Sequence, residues 1–276
     1  MAFALVLLLG WLLTRLENAL LYHPTVTIRS TPASLGIHHE DVRIPTTDGE
    51  TLHGWWIPHP QPGAPVLLFF HGNGGNREDR LHNLIGLHQA GLAVLIIDYR
   101  GYGGSTGSPA EAGLITDGLS AYDWLTARAP VVPIVFFGRS LGGAVALQVA
   151  ARILERGGDA TEKKDERLAA LILESTFTSI REMVPLAVPF PGATLLARSR
   201  FDSLALIPRL KLPLLIIHGE ADRLIPFAMG KKLFKAATSD LKQFFPVPDG
   251  GHNDTYLRAG PGYYQRLMDF IGRIRP

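Results

Sequence analysis

Six short, unbroken apolar runs recur along the second half of the chain and most of the first. They read "PVLLFF" (65–70), "AVLIIDY" (93–99), "PIVFF" (133–137), "LAALILE" (168–174), "PLLIIH" (213–218) and "KQFFPV" (242–247). A strand with one wet face alternates polar and apolar residues, so continuous runs of this length, rich in Val, Ile and Phe, read as strands buried on both faces. Each is followed by a Gly-bearing turn and a helical segment. That alternation requires crossover connections, hence a mostly parallel sheet with helices on both sides. Before the runs, "HHEDVRIPTTDGETLHGWWIP" offers two alternating stretches joined across Asp48 and Gly49, a strong hairpin signal. The expected fold class is therefore α/β, with about eight strands opened by an antiparallel hairpin. At 276 residues, 46% of them hydrophobic, residues 23–276 are long enough to bury this sheet as one domain.

Two stretches match G-x-S-x-G: "GGSTG" around Ser105 and "GRSLG" around Ser140. Their surroundings separate them. Ser105 lies in a Gly-rich loop, read as a flexible turn. The next helix starts at "SPAE", where Ser108 would be the N-cap, Pro109 the first helical residue and Glu111 the partner closing a capping box. Asn76 and Asp79 suggest a similar start for a helix through His88. Ser140 instead follows "PIVFF" directly and precedes an Ala-rich helix ended by Gly157 and Gly158. A strand that turns into a helix within one residue forces that residue into strained φ/ψ and projects its hydroxyl above the sheet. Side chains at 138 or 142 would collide across so sharp a turn. Ser140 is thus the candidate nucleophile.

A serine hydroxyl needs a base, and the base an orienting carboxylate. Of ten histidines, His252 in "PDGGHND" lies in a loop after the last run, at the end of the sheet where such folds gather ligands. His71 and His218 sit at strand ends and read as rings bonded to nearby backbone. For the acid, "HGEADRLIP" offers Glu220 and Asp222, with Asp222 favoured. Glu174, after the preceding strand, is the rival, and Asp254 reads as a cap for the following helix. Backbone N–H groups must meet the negative oxygen of an acyl-transfer intermediate. The Asn73 amide in "HGNGGN" and the Leu141 amide are the candidates. The same Gly-rich loop lacks the lysine of a phosphate-binding loop.

The net charge of +2 is scattered without basic runs, which argues against nucleic acid as a partner. The absence of cysteine excludes disulfides and thiolate metal sites. No histidine pair has metal-site spacing, and neither metal nor cofactor is expected. Residues 1–22, "MAFALVLLLGWLLTRLENALLY", are apolar all round through Leu13 and then amphipathic. They are short of the about 20 apolar residues that cross a bilayer. Three arrangements satisfy them: a membrane-associated anchor helix, a helix packed on protein, and a cleaved signal. The first is favoured, because an all-round apolar helix needs lipid or protein about it. The expectation is a membrane-associated protein, otherwise cytoplasmic or periplasmic. A homo-oligomer stays open.

The blocks "HGNGGN", "DYRGYGGSTGSP", "GRSLGG", "ESTFTS", "HGEADRLIP" and "GGHND", in order over residues 40 to 275, resemble the α/β-hydrolase superfamily and, within it, Bem46-type serine hydrolases. The resemblance implies Ser140, Asp222 and His252 as a catalytic triad, Asn73 and Leu141 as oxyanion donors, a structural role for "DYRGYG", and an N-terminal membrane anchor. Residues 154–169 depart from the pattern as a charged insert. Residues 176–212, between the sixth and seventh strands, would form a small cap. Met183, Val184, Leu186, Val188, Phe190 and Leu195 would wall an acyl pocket there. The implied activity is hydrolysis of carboxylic esters of short to medium acyl chains through an acyl-enzyme. A membrane-surface thioesterase or lipase-like enzyme is the alternative, and a silent membrane-attached binding module the third reading.

Overall fold

The computed structural model describes residues 17–19, 21–129, 132–156, 167–187, 194 and 197–274. Eight strands form one sheet: β1 (Glu40–Pro45), β2 (Thr51–Ile57), β3 (Val66–Phe70), β4 (Ala93–Ile97), β5 (Ile134–Arg139), β6 (Leu168–Glu174), β7 (Leu214–Gly219) and β8 (Lys242–Val247). Their order across the sheet is β8-β7-β6-β5-β3-β4-β2-β1. The β1/β2 and β2/β4 pairs are antiparallel and every other pair is parallel. Asp48 and Gly49 fall in the hairpin turn, where Thr46 N–H donates to Glu50 O at 2.8 Å and Gly49 takes φ +93°.

Both faces of the sheet are covered along β3 to β7, which explains their unbroken apolar runs; β8, expected to be buried in the same way, lies at the edge, where only Val247 is buried and Pro246 is exposed. Leu67 and Phe69 of β3 point to one side, where they meet helices α1 (Leu81–Gln89) and α8 (Pro261–Ile271). Leu68 and Phe70 point to the other, onto α2 (Glu111–Arg128), α3 (Leu141–Arg156) and α6 (Phe227–Ala236). Phe136 and Phe70 meet edge-on on that side with ring centroids 5.0 Å apart. Emptying either position would cost about 3–5 kcal/mol.

Two expected helix starts fare differently. Asn76 and Asp79 form a capping box, heading a 3₁₀ turn (Arg77–Arg80) that runs into α1. The box expected at Ser108 does not form. The α2 N-cap is Ala110, without a side-chain cap. Glu111 has a stronger use: its carboxylate accepts the backbone N–H groups of Arg200 (2.6 Å) and Phe201 (2.8 Å).

Between β6 and β7 the chain makes its longest excursion. It holds α4 (Ile180–Ala187), α5 (Ser203–Leu206) and a 3₁₀ turn (Ile207–Arg209); α7 (Thr255–Arg258) follows β8. The descending leg is fastened by two carboxylates, because Glu17 accepts the N–H groups of Arg198 and Ser199 beside the two taken by Glu111.

The membrane-associated localisation expected from residues 1–22 is corrected. Residues 1–16 and 20 lie outside the described residues, and among the described residues no helix is long and apolar enough to cross a membrane. Within this stretch, Glu17 holds the excursion and Tyr22 is buried in the main core. The chain then pairs His23–Pro24 in parallel with Gly74–Gly75.

Candidate active site

The site forms where β5 becomes α3. In register, Gly138 pairs with Phe70 of β3 and Leu173 of β6, and Arg139 with Glu174 of β6, so the strand is held on both sides through Gly138 and on one side at the last residue before the turn. Ser140 then adopts φ +55°, the left-handed region that a residue with a side chain rarely occupies. The surroundings impose it: Ser140 N–H donates to Glu174 O at 2.8 Å, and Ser140 O accepts from Thr176 Oγ1 at 2.7 Å and Gly143 N at 3.0 Å. A Cβ on Gly138 would lie 2.5 Å from Gly142 O, and one on Gly142 would overlap the Phe70 carbonyl. Only glycine permits this approach of helix to strand.

His252 reaches the serine from the loop after β8. Its Nε2 stands 3.0 Å from Ser140 Oγ and its Nδ1 2.8 Å from Asp222 Oδ2. An ionised carboxylate only accepts, so Nδ1 carries the proton and Nε2 faces the hydroxyl as acceptor. The other Asp222 oxygen, Oδ1, accepts the Leu224 and Ile225 N–H groups at 2.9 Å each. Burial pushes the Asp222 carboxyl up, but hydrogen bonds from His218 and His252 and the electrostatic attraction of His252 outweigh it and hold the group below the usual carboxylate range.

The loop after β3 passes close to the serine. A Cβ on Gly72 would stand 3.5 Å from Ser140 Cβ. Asn73 follows, its Oδ1 accepting the Tyr102 hydroxyl at 3.1 Å. Leu141 opens α3, where the first N–H groups have no intrahelical acceptor.

The alternative residues have other uses. Glu174, fully buried, accepts from Arg139 Nη2 (3.3 Å), Tyr263 Oη (3.1 Å) and Thr255 Oγ1. Arg139 also donates to Asn253 O at 3.4 Å, so this buried ion pair joins the strand before the serine to the loop that carries His252. Neither residue was expected in that role; a buried ion pair between distant residues leaves no local pattern. Glu220 is exposed. Asp254 is the α7 N-cap residue but makes no side-chain cap bond; it accepts from Gly251 N (2.6 Å) and Arg258 Nε (2.9 Å). His71 Nδ1 lies 2.7 Å from Gly72 O, and His218 Nε2 3.0 Å from Ile225 O. The loop around Ser105 is built rather than flexible: Ser105 Oγ donates to Asp98 O at 2.7 Å and accepts the His53 N–H at 2.8 Å.

Of the expected acyl-pocket residues, Met183 and Val184 pack half-buried against the main core. Leu186 is 57% exposed and so does not line an enclosed pocket, while Val188, Phe190 and Leu195 lie outside the described residues.

Residues 65–196 match the family model for the alpha/beta hydrolase fold. The protein bem46 of Schizosaccharomyces pombe is 37% identical over 255 residues, covering 87% of this chain and 79% of its own. A lysophosphatidylserine lipase of Xenopus tropicalis is 35% identical over 263 residues, covering 87% of this chain and 66% of its own. Among solved structures, an esterase of Pyrococcus furiosus superposes with a TM-score of 0.73 at 21% identity, over 93% of this chain and 99% of its own. With the strand order, the elbow at Ser140 and these likenesses together, the chain belongs to the alpha/beta hydrolase superfamily and, within it, to the Bem46 type.

Proposed function

We propose that the protein is a serine hydrolase that cleaves carboxylic esters through an acyl-enzyme. The observation that carries this reading is the line from Ser140 Oγ to His252 Nε2 to Asp222, with contacts of 3.0 and 2.8 Å, at a serine held at φ +55°. Ser140 Oγ attacks the ester carbonyl while His252 Nε2 takes its proton. The carbonyl electron pair moves onto oxygen, where the Asn73 and Leu141 amides meet the charge. Collapse of this intermediate breaks the bond to the alcohol, which leaves with the proton from His252. Water then repeats the sequence on the acyl-enzyme and frees Ser140. Asp222 keeps the imidazole in the required tautomer and balances its transient charge.

The esterase neighbour and the lipase relative support ester chemistry, and the lipase supports testing long-chain amphiphiles beside short esters. Labelling with a fluorophosphonate probe tests the nucleophile: wild type labels and Ser140→Ala does not, with hydrolysis of p-nitrophenyl esters falling at least ~10⁴-fold. Rates for acyl chains of two to sixteen carbons then set the substrate class. Unlabelled, inactive wild-type protein would remove the proposal.

A further inference from the structure

An oxyanion donor is useful only if it is already in place when charge develops. The loop that presents Asn73 is poorly suited to that by itself, since Gly72, Gly74 and Gly75 surround it and Gly75 takes φ +82°. Something else must hold it. The structure shows a segment running across the loop, residues 23–27, which lies outside the stretch matched by the family model. His23 and Pro24 pair with Gly74 and Gly75, and Thr25 N–H donates to Gly75 O at 3.1 Å.

This short pairing is fastened from both sides. Asn76 is 1% exposed, and its Nδ2 donates to Thr25 O at 3.0 Å and to Thr27 O at 2.8 Å. Its Oδ1 accepts the Glu78 N–H at 2.8 Å, so the whole carboxamide is satisfied. Tyr102 adds the second fastening, donating its hydroxyl to Asn73 Oδ1 at 3.1 Å. Gly103 N–H also donates to Thr25 O at 2.9 Å, tying the same segment to the loop after β4.

We propose that Asn76 is a positioning residue: its carboxamide fastens residues 23–27 across the Gly-rich loop and so fixes the Asn73 amide where the negative oxygen forms. The inference rests on the reading of Ser140 and Asn73 given above. Helix capping alone does not account for Asn76. Asp and Asn serve about equally well as N-caps, yet only the amide can donate to two carbonyls. A carboxylate here would keep the bond from Glu78 and face Thr25 O and Thr27 O with a bare oxygen. Asn76→Asp therefore separates the two roles.

The test uses the full chain, p-nitrophenyl butyrate, and an alkyl trifluoromethyl ketone. Ser140 Oγ adds to the ketone carbon, the carbonyl electron pair moves to oxygen, and the proton passes to His252, so the adduct draws on the same amides as the reaction. Asn76→Asp should still fold, with its melting temperature lowered because the buried carboxylate faces two carbonyl oxygens. Its kcat should fall about 10- to 100-fold, a part of what losing one donor costs, with KM within twofold. The inhibition constant of the ketone should rise by the same factor as kcat/KM falls. Tyr102→Phe, which removes one hydroxyl, should shift both quantities about threefold to tenfold. Folded Asn76→Asp with kcat/KM and inhibition constant both within twofold of wild type overturns the proposal, and so does lost activity with unchanged inhibition. If Asn76→Asp does not fold, Tyr102→Phe decides by the same two criteria. Failure of the underlying reading shows separately, as Ser140→Ala protein that keeps its activity.

Discussion

His252 and Asp222 meet through one carboxylate oxygen. Nδ1 lies 2.8 Å from Oδ2, while Oδ1 is committed to the N–H groups of Leu224 and Ile225. The carboxylate is thereby fixed in rotation before it meets the ring, so the imidazole inherits its orientation from the β7 loop rather than from its own Gly-rich one.

Asp222→Asn should keep the two backbone bonds but turn an NH₂ toward His252 Nδ1, favouring the wrong tautomer. Its main effect should be on kcat, a fall of about 10⁴-fold, with only the stability tied to the ionised carboxylate lost beside it. Glu174→Gln should do the reverse, because it weakens the buried pair with Arg139: stability falls by about 3–5 kcal/mol while kcat/KM stays within about threefold. Steady-state kinetics and thermal melts on both variants check this. A larger kinetic loss in Glu174→Gln would make Glu174 the orienting acid.

The carboxyl of Asp222 is held below its ordinary range. Its contribution to stability is therefore complete above the unfolded value of about 4 and is lost as pH falls below it. Urea midpoints measured from pH 6 down to pH 3 should drop more steeply for wild type than for Asp222→Asn. Parallel curves would remove this assignment.

His71 is fully buried between Tyr99 and Tyr102, with ring centroids 4.4 and 5.3 Å away, and burial pushes its pKa down to about 3. The unfolded chain binds a proton there near pH 6.5 and the native state does not, so stability falls as pH drops through that window. The loss approaches about 2 kcal/mol at pH 5. In His71→Gln, whose amide can still donate to Gly72 O, denaturation between pH 7 and 5 should show that much less dependence on acid.

Two glycines of the site should respond oppositely to alanine. At Gly142 a methyl group overlaps the Phe70 carbonyl, and the variant should lose more than about 3 kcal/mol or fail to fold. At Gly74 nothing lies within 4 Å of the added Cβ. Gly74→Ala should remain within about 1 kcal/mol of wild type by chemical denaturation, and equal losses at the two positions would contradict the elbow geometry.

The parts of the fold visible in the sequence are those with a local cause. Strands covered on both faces need unbroken apolar runs, and β3 to β7 supply them, whereas β8 is a half-buried edge strand; a strand meeting a helix at one residue needs glycines at 138 and 142. What stayed hidden depends on partners far along the chain. Ser108, Pro109 and Glu111 spell a capping box, but Glu111 is drawn to the amides of Arg200 and Phe201. His23 and Pro24 form two rungs with a glycine loop and have no periodicity to betray them. Glu174 looks like a free acid at a strand end until Arg139, Thr255 and Tyr263 close around it.

Glu17 and Glu111 together occupy four successive backbone N–H groups, from Arg198 to Phe201. The excursion between β6 and β7 is consequently moored at its landward end, where the tethers hold backbone N–H groups that no substitution at 198–201 except proline removes. Replacing Glu17 would remove two of these four bonds while leaving Ser140, Asp222 and His252 untouched.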